Sequence, residues 1–142
     1  MQLETYDDRK VATGNPLPVA DASVLAALLA LTASLGALVV DADGRTIAAA
    51  ETRTIYSNEG ATAIAPFVLP TAAAGLDFSF MVQDADGIRV TAAAGDSIQV
   101  GTALSGVAGK IESTTIGSSV RLIALNATEW MAVSMVGSWT VT

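Results

Sequence analysis

The sequence predicts a mainly β protein: an antiparallel β-sandwich or jelly-roll-like barrel with an N-terminal extended arm and one short apolar helix. Three observations predict it. From Asp41 onward, short runs alternate apolar and polar residues between Gly, Asn-Glu-Gly and Asp-Gly turns, the period-two pattern of half-buried strands. Before them lies a stretch rich in Leu and Ala, residues 22–40, without a single charge. Ahead of that, Pro16-Leu17-Pro18 favours an extended chain, because each proline fixes its own φ and restricts its predecessor. The expected organisation is an arm over 1–20, a helix over 21–40 and a β domain over 41–142.

The helix expectation rests on Asp21 as an N-cap and on the helix preference of Ala and Leu. Leu25, Leu28, Thr32, Leu35 and Val39 fall at the 3-4-3-4 spacing of a heptad seam. Leu29, Leu31 and Leu38 widen the stripe beyond what one partner helix covers. Three readings compete: a helix bundled with its own copies, a helix packed on its own domain, and a membrane span. Nineteen uncharged residues just meet the spanning length. The flanking aspartates, the internal Ser and Thr, and the lack of basic or aromatic anchors argue against the span. No basic n-region precedes the stretch, so a cleaved secretion signal is not expected.

Within the β region, Phe78, Phe80 and Val82 face one way and Ser79, Met81 and Gln83 the other. Val120, Leu122 and Ala124, and then Val133 and Met135, follow the same alternation. Pro66 interrupts the run 64–69 and suits an edge strand or a bulge. Seven to nine short strands, mostly antiparallel, are expected. An internal echo is present: the run from Val40-Asp-Ala-Asp-Gly44 to Ala50 recurs 43 residues on, around Asp84-Ala-Asp-Gly87, and Ile55 and Ile98 extend it. Two hairpins with Asp-Gly turns are the expected structure, since Asp-Gly supplies the φ > 0 of a type I′ turn. A duplication and two uses of one favoured turn both account for the echo.

Composition bears directly on function. Fourteen acidic residues against seven basic ones give a net charge of −7, which repels phosphates and excludes direct nucleic-acid binding as the expectation. The chain has no histidine and no cysteine. That removes Ser-His and Cys-His nucleophilic machinery, disulfides and thiolate metal sites. The two Asp-Ala-Asp-Gly runs resemble the start of a calcium loop but fail at its ligand positions, with Ala50 and Ala93 standing where an acid is needed. No catalytic residue, cofactor or metal is expected. Trp130 and Trp139 sit in alternating runs, so core or inter-subunit packing is expected rather than stacking on a sugar.

Several segments are familiar in texture: 55–64 (Ile-Tyr-Ser-Asn-Glu-Gly-Ala-Thr-Ala-Ile), 67–76, 80–98 and the ending from Trp130 to Val141. Over residues 53–142 the chain resembles tailed-bacteriophage virion proteins: capsid decoration (cement) proteins, head fibres and tail-fibre modules. The resemblance implies a β domain, usually trimeric, displayed on a particle surface, with no catalytic residue at the matching positions. The expected function is that of a homotrimeric decoration protein on a phage head, bridging the major capsid protein or other virion proteins. Leu25, Leu28, Leu35 and Val39 are the expected subunit-interface residues. A head, collar or tail fibre module, or a receptor- or glycan-binding domain, is the alternative.

Overall fold

The computed structural model describes residues 36–142, which form one compact unit, Gly36–Thr142. The expected arm (1–20), most of the expected helix, and with them Leu25, Leu28 and Leu35, lie outside the described residues. The fold class is as expected: mainly β, with two sheets packed as a sandwich. Eleven strands contribute, somewhat more than anticipated: β1 (Leu38–Val40), β2 (Thr54–Ser57), β3 (Ala65–Val68), β4 (Asp77–Met81), β5 (Ile88–Thr91), β6 (Ser97–Val100), β7 (Ala103–Leu104), β8 (Lys110–Ser113), β9 (Ser119–Ala124), β10 (Glu129–Val136) and β11 (Thr140–Val141). The large sheet runs β1-β2-β4-β9-β10-β6-β7 and the small one β11-β8-β5-β3.

Pairing departs from the antiparallel expectation. β1 pairs parallel with β2, β2 with β4, β3 with β5, and β10 with β6. The cause lies in the route of the chain. From β1 it crosses to the small sheet, where Arg45–Ile47 runs beside β3: Val68 N donates to Arg45 O (2.9 Å) and Ile47 N to Val68 O (2.8 Å). It then returns for β2, crosses for β3, returns for β4 and crosses for β5. Parallel neighbours need a crossover connection, and over residues 38–91 each crossover is made by chain of the opposite sheet. Residues 38–91 therefore wind as a short two-sided coil. The remaining strands close it with antiparallel pairs: β9 with β4 and β10, β8 with β5 and β11, and β6 with β7.

The Asp-Gly turns consequently are not hairpins. Asp43-Gly44 leads from β1 to Arg45–Ile47, and Asp86-Gly87 from β4 to β5, so each turns the chain from one sheet to the other. Both glycines have the positive φ anticipated, +69° and +86°. A Cβ on Gly87 would stand 2.6 Å from Ser113 O, so the turn is packed as well as left-handed. Gly87→Ala is expected to lower stability by about 2 kcal/mol or more, measured by urea unfolding. The correspondence between Ile55 and Ile98 does not survive in three dimensions: Ile55 is exposed and Ile98 fully buried.

Val39 also belongs to a strand rather than to a helix seam. Gly36, at φ +88°, packs against the Arg53 carbonyl where a side chain would collide, and the chain beyond it is extended. Val39 pairs with Tyr56 across β1 and β2 and packs partly buried on its own core. Elsewhere the alternation holds. Phe78, Phe80, Val82, Val120, Leu122 and Ala124 are all buried. Pro66 lies exposed on β3, the edge strand of the small sheet, with its missing N–H costing no ladder bond within that sheet. Val133 and Met135 are the exception, both nearly half exposed. A register shift between Ala132 and Ser134 breaks the alternation there.

The core is aromatic at its centre. Tyr56 and Phe80 from the large sheet meet Phe67 from the small one, with ring centroids 5.3–5.6 Å apart. Trp130 packs against Phe78 at 5.8 Å and is fully buried. Trp139 is buried too, so core packing is the role of both tryptophans.

Candidate functional surface

Polar chemistry is sparse, and much of it is engaged within the fold. Among the described residues no group of three or more carboxylates could hold a metal ion. The turns that resemble half a calcium loop are built into the fold instead. Asn58, fully buried, receives Gln83 N (2.8 Å) and Asp84 N (3.0 Å) on Oδ1 and donates through Nδ2 to Asp84 O (3.1 Å) and Gly87 O (3.0 Å). One carboxylate oxygen of Asp84 accepts from Asp86 N (3.2 Å). The acidic turn is thus a corner of the coil held by one amide.

A groove of about 310 Å³ beside the small sheet is lined by Lys110, Glu112, Ser113, Thr115, Ser138 and Thr140. Its charges are paired. Lys110 Nζ lies 2.7 Å and Arg89 Nε 2.9 Å from Glu112 Oε2. Those hydrogen bonds, that from Lys110 foremost, hold the Glu112 carboxyl below its usual range. A carboxylate clamped by two cations is a poor general base. Its depressed folded-state pKa makes the group stabilising above the ordinary carboxylate range, with that contribution lost as pH falls below about 4.5. Because the trio is only partly buried, solvent screens it and the contribution is small, under about 1 kcal/mol. Glu112→Gln should remove this part of the acid dependence in unfolding curves between neutral pH and pH 3. Tyr56 is no nucleophile either: burial, and then the nearby Glu51 carboxylate, push its phenol up to about 12.

What distinguishes this domain is the contrast between its two outer faces. Outside the small sheet stand Arg89, Glu112 and Lys110 with Pro66, Thr91 and Thr140, a surface at home in water. The outside of the large sheet is different. One cross-strand row reads Leu38-Ile55-Ser79-Arg121-Ser134, and the next Val40-Ser57-Met81-Ser119-Val136. On the other side of the first row lie Asp77, Ile123, Met131 and Gln99. Leu38 is 65% exposed, Val40 53%, Val136 58% and Met81 39%. A shallow groove of about 240 Å³ between Ile55, Met81 and Ser134 crosses this face. At its centre Arg121 and Asp77 pair with each other through Nη2–Oδ2 (2.6 Å) and Nε–Oδ1 (3.0 Å). This face thus sets exposed apolar side chains among serines and an ion pair, and an exposed apolar patch has the character of a contact surface.

Of the residues expected at a subunit interface, only Val39 lies among those described, and its side chain turns toward its own core. Its neighbours Leu38 and Val40 turn outward onto the apolar face. Among the described residues no helix is long and apolar enough to cross a membrane. The chain matches no protein-family model and no curated protein sequence.

Proposed function

We propose that this chain is a non-enzymatic structural protein of a tailed-phage virion, a capsid decoration (cement) protein that bridges capsid subunits as a homotrimer. The observation that supports it best is the set of exposed apolar side chains on the outer face of the large sheet, Leu38, Val40, Ile55, Met81 and Val136 among them. Such a module works through its surfaces. The resemblance of residues 53–142 to virion proteins directs the reading to a phage particle. In this reading Leu25, Leu28 and Leu35 join subunits, and the sandwich meets the lattice or its neighbours. Many modest interfaces, each burying apolar area at about 25 cal/mol per Å², then oppose disruption of the shell by mass action. The two buried tryptophans leave the glycan-binding alternative without its stacking platform.

The test is copy number and function on the particle. Quantified against the major capsid protein, the chain should be present in hundreds of copies, and particles lacking it should rupture at lower temperature until purified chain is added back. A count in the tens or fewer would assign it to a fibre, collar or tail module instead.

A further inference from the structure

The tetrapeptide Asp-Ala-Asp-Gly stands at two corners of the coil, 41–44 and 84–87. In each, the second aspartate precedes glycine, and no other Asp or Asn of the chain does. That neighbour matters chemically. The backbone nitrogen that follows an aspartate can attack its side-chain carboxyl, and glycine shields that nitrogen least because it has no Cβ. The two corners therefore share one intrinsic reactivity, and the fold sets them apart.

At 84–87 the attacking nitrogen is occupied. Gly87 N donates to Asp84 O (3.0 Å), Gly87 is buried, and Asn58 donates to the carbonyls of both residues. The strands that this turn joins are interior: β4 lies between β2 and β9, and β5 between β8 and β3. At 41–44 the Gly44 amide has no hydrogen-bond acceptor among the described residues, and Asp43 is exposed. This corner joins β1, an edge strand of three residues, to Arg45–Ile47 beside the edge strand β3. Short edge segments open locally at low cost, whereas interior strands open only with much of the fold.

We propose that Asp43-Gly44 is a site of spontaneous isoaspartate formation, and that the same sequence at Asp86-Gly87 is protected by the fold. Gly44 N bonds to Asp43 Cγ, one carboxyl oxygen leaves as water, and a succinimide ring closes. Water then opens the ring. Breaking the bond between Gly44 N and the former backbone carbonyl frees that carbonyl as a carboxylate and routes the main chain through Cβ and Cγ. No oxidant or cofactor is consumed, and mass and charge are unchanged. The product carries one extra main-chain carbon at a corner where even a Cβ on Gly44 would collide with the Pro66 backbone. It therefore works against the bonds from Val68 N to Arg45 O and from Ile47 N to Val68 O, which hold this crossing to β3. The freed carboxylate is the substrate class of an isoaspartyl methyltransferase. The inference is independent of the virion reading.

The test incubates the folded full-length chain at neutral pH and body temperature for several weeks and then cleaves it with trypsin. Asp43 falls in the peptide 11–45, bounded by Lys10 and Arg45, and Asp86 in 54–89, bounded by Arg53 and Arg89. Methyl labelling by isoaspartyl methyltransferase should read about tenfold or more isoaspartate in the first peptide relative to the second. In chain held unfolded in guanidinium chloride the two peptides should label alike. Asp43→Glu, whose longer side chain closes a ring far more slowly, should remove the signal from the first peptide. Equal labelling in the folded chain, or labelling of the second peptide alone, would overturn the proposal. So would a folded chain unlabelled in both peptides while the unfolded chain labels in both, and so would a signal in the first peptide that survives Asp43→Glu.

Discussion

Asn58→Ala should remove about 3 kcal/mol of stability from the β domain. Four backbone groups depend on that side chain: the amides of Gln83 and Asp84 and the carbonyls of Asp84 and Gly87. Truncation leaves the two amides without their partner, whereas Asp84 O keeps Gly87 N and Gly87 O keeps Ala65 N; a buried unsatisfied group costs about 1–3 kcal/mol. The corner cannot simply relax into solvent, because Gly87 is wedged against Ser113 and Thr114, and Gly87 O also receives Ala65 N (3.0 Å). Single-domain stabilities run to about 5–15 kcal/mol, so the loss is a large share of the whole. The control is one residue away: Glu59 is exposed, and Glu59→Ala should stay within about 0.5 kcal/mol. Urea unfolding followed by tryptophan fluorescence reads both. A loss below about 1.5 kcal/mol for Asn58→Ala would mean that the coil corner is held by its strands rather than by this amide.

That corner shows where the sequence was legible and where it was not. Alternation along Phe78-Ser-Phe-Met81 identified the strand and its buried side, because a period of two with one apolar phase has a single reading. Asp-Gly at 86–87 identified a turn with positive φ. Neither could reveal which sheet the next strand joins, since hydrogen-bond partners are not written in local pattern. Local pattern therefore does not show the parallel winding, and it makes two corners look like hairpins. Leu38-Val39-Val40 disappeared into the apolar run before it, although Gly36 marked the break. The candidate surface was hidden for a related reason. Arg121 and Asp77 lie 44 residues apart and meet only because β9 pairs with β4. One signal was available: where both phases of a strand are apolar, as in Leu38-Val39-Val40, Leu122-Ile123 and Trp130-Met131, both faces of that sheet are apolar.

Adjacent residues of β4 separate the fold from that second face. Phe80 points inward, fully buried against Tyr56 at 5.6 Å and Phe67 at 5.5 Å. Phe80→Ala opens a cavity where the two sheets meet and should cost about 3–5 kcal/mol, transfer and cavity terms together. The rings around it come from β2 and β3, on opposite sheets, so collapse to fill the space would have to move one sheet toward the other. Met81, the next residue, points outward and contributes little to the core; Met81→Glu should change unfolding free energy by less than about 1 kcal/mol. If the outer face is a contact surface, the two substitutions have opposite signatures. Phe80→Ala shifts the urea midpoint strongly and, at temperatures where the chain stays folded, leaves association intact. Met81→Glu leaves the midpoint nearly in place and weakens association. Were both to move stability and association together, the outward residues would be part of the fold's own packing, and the face would not be an independent surface.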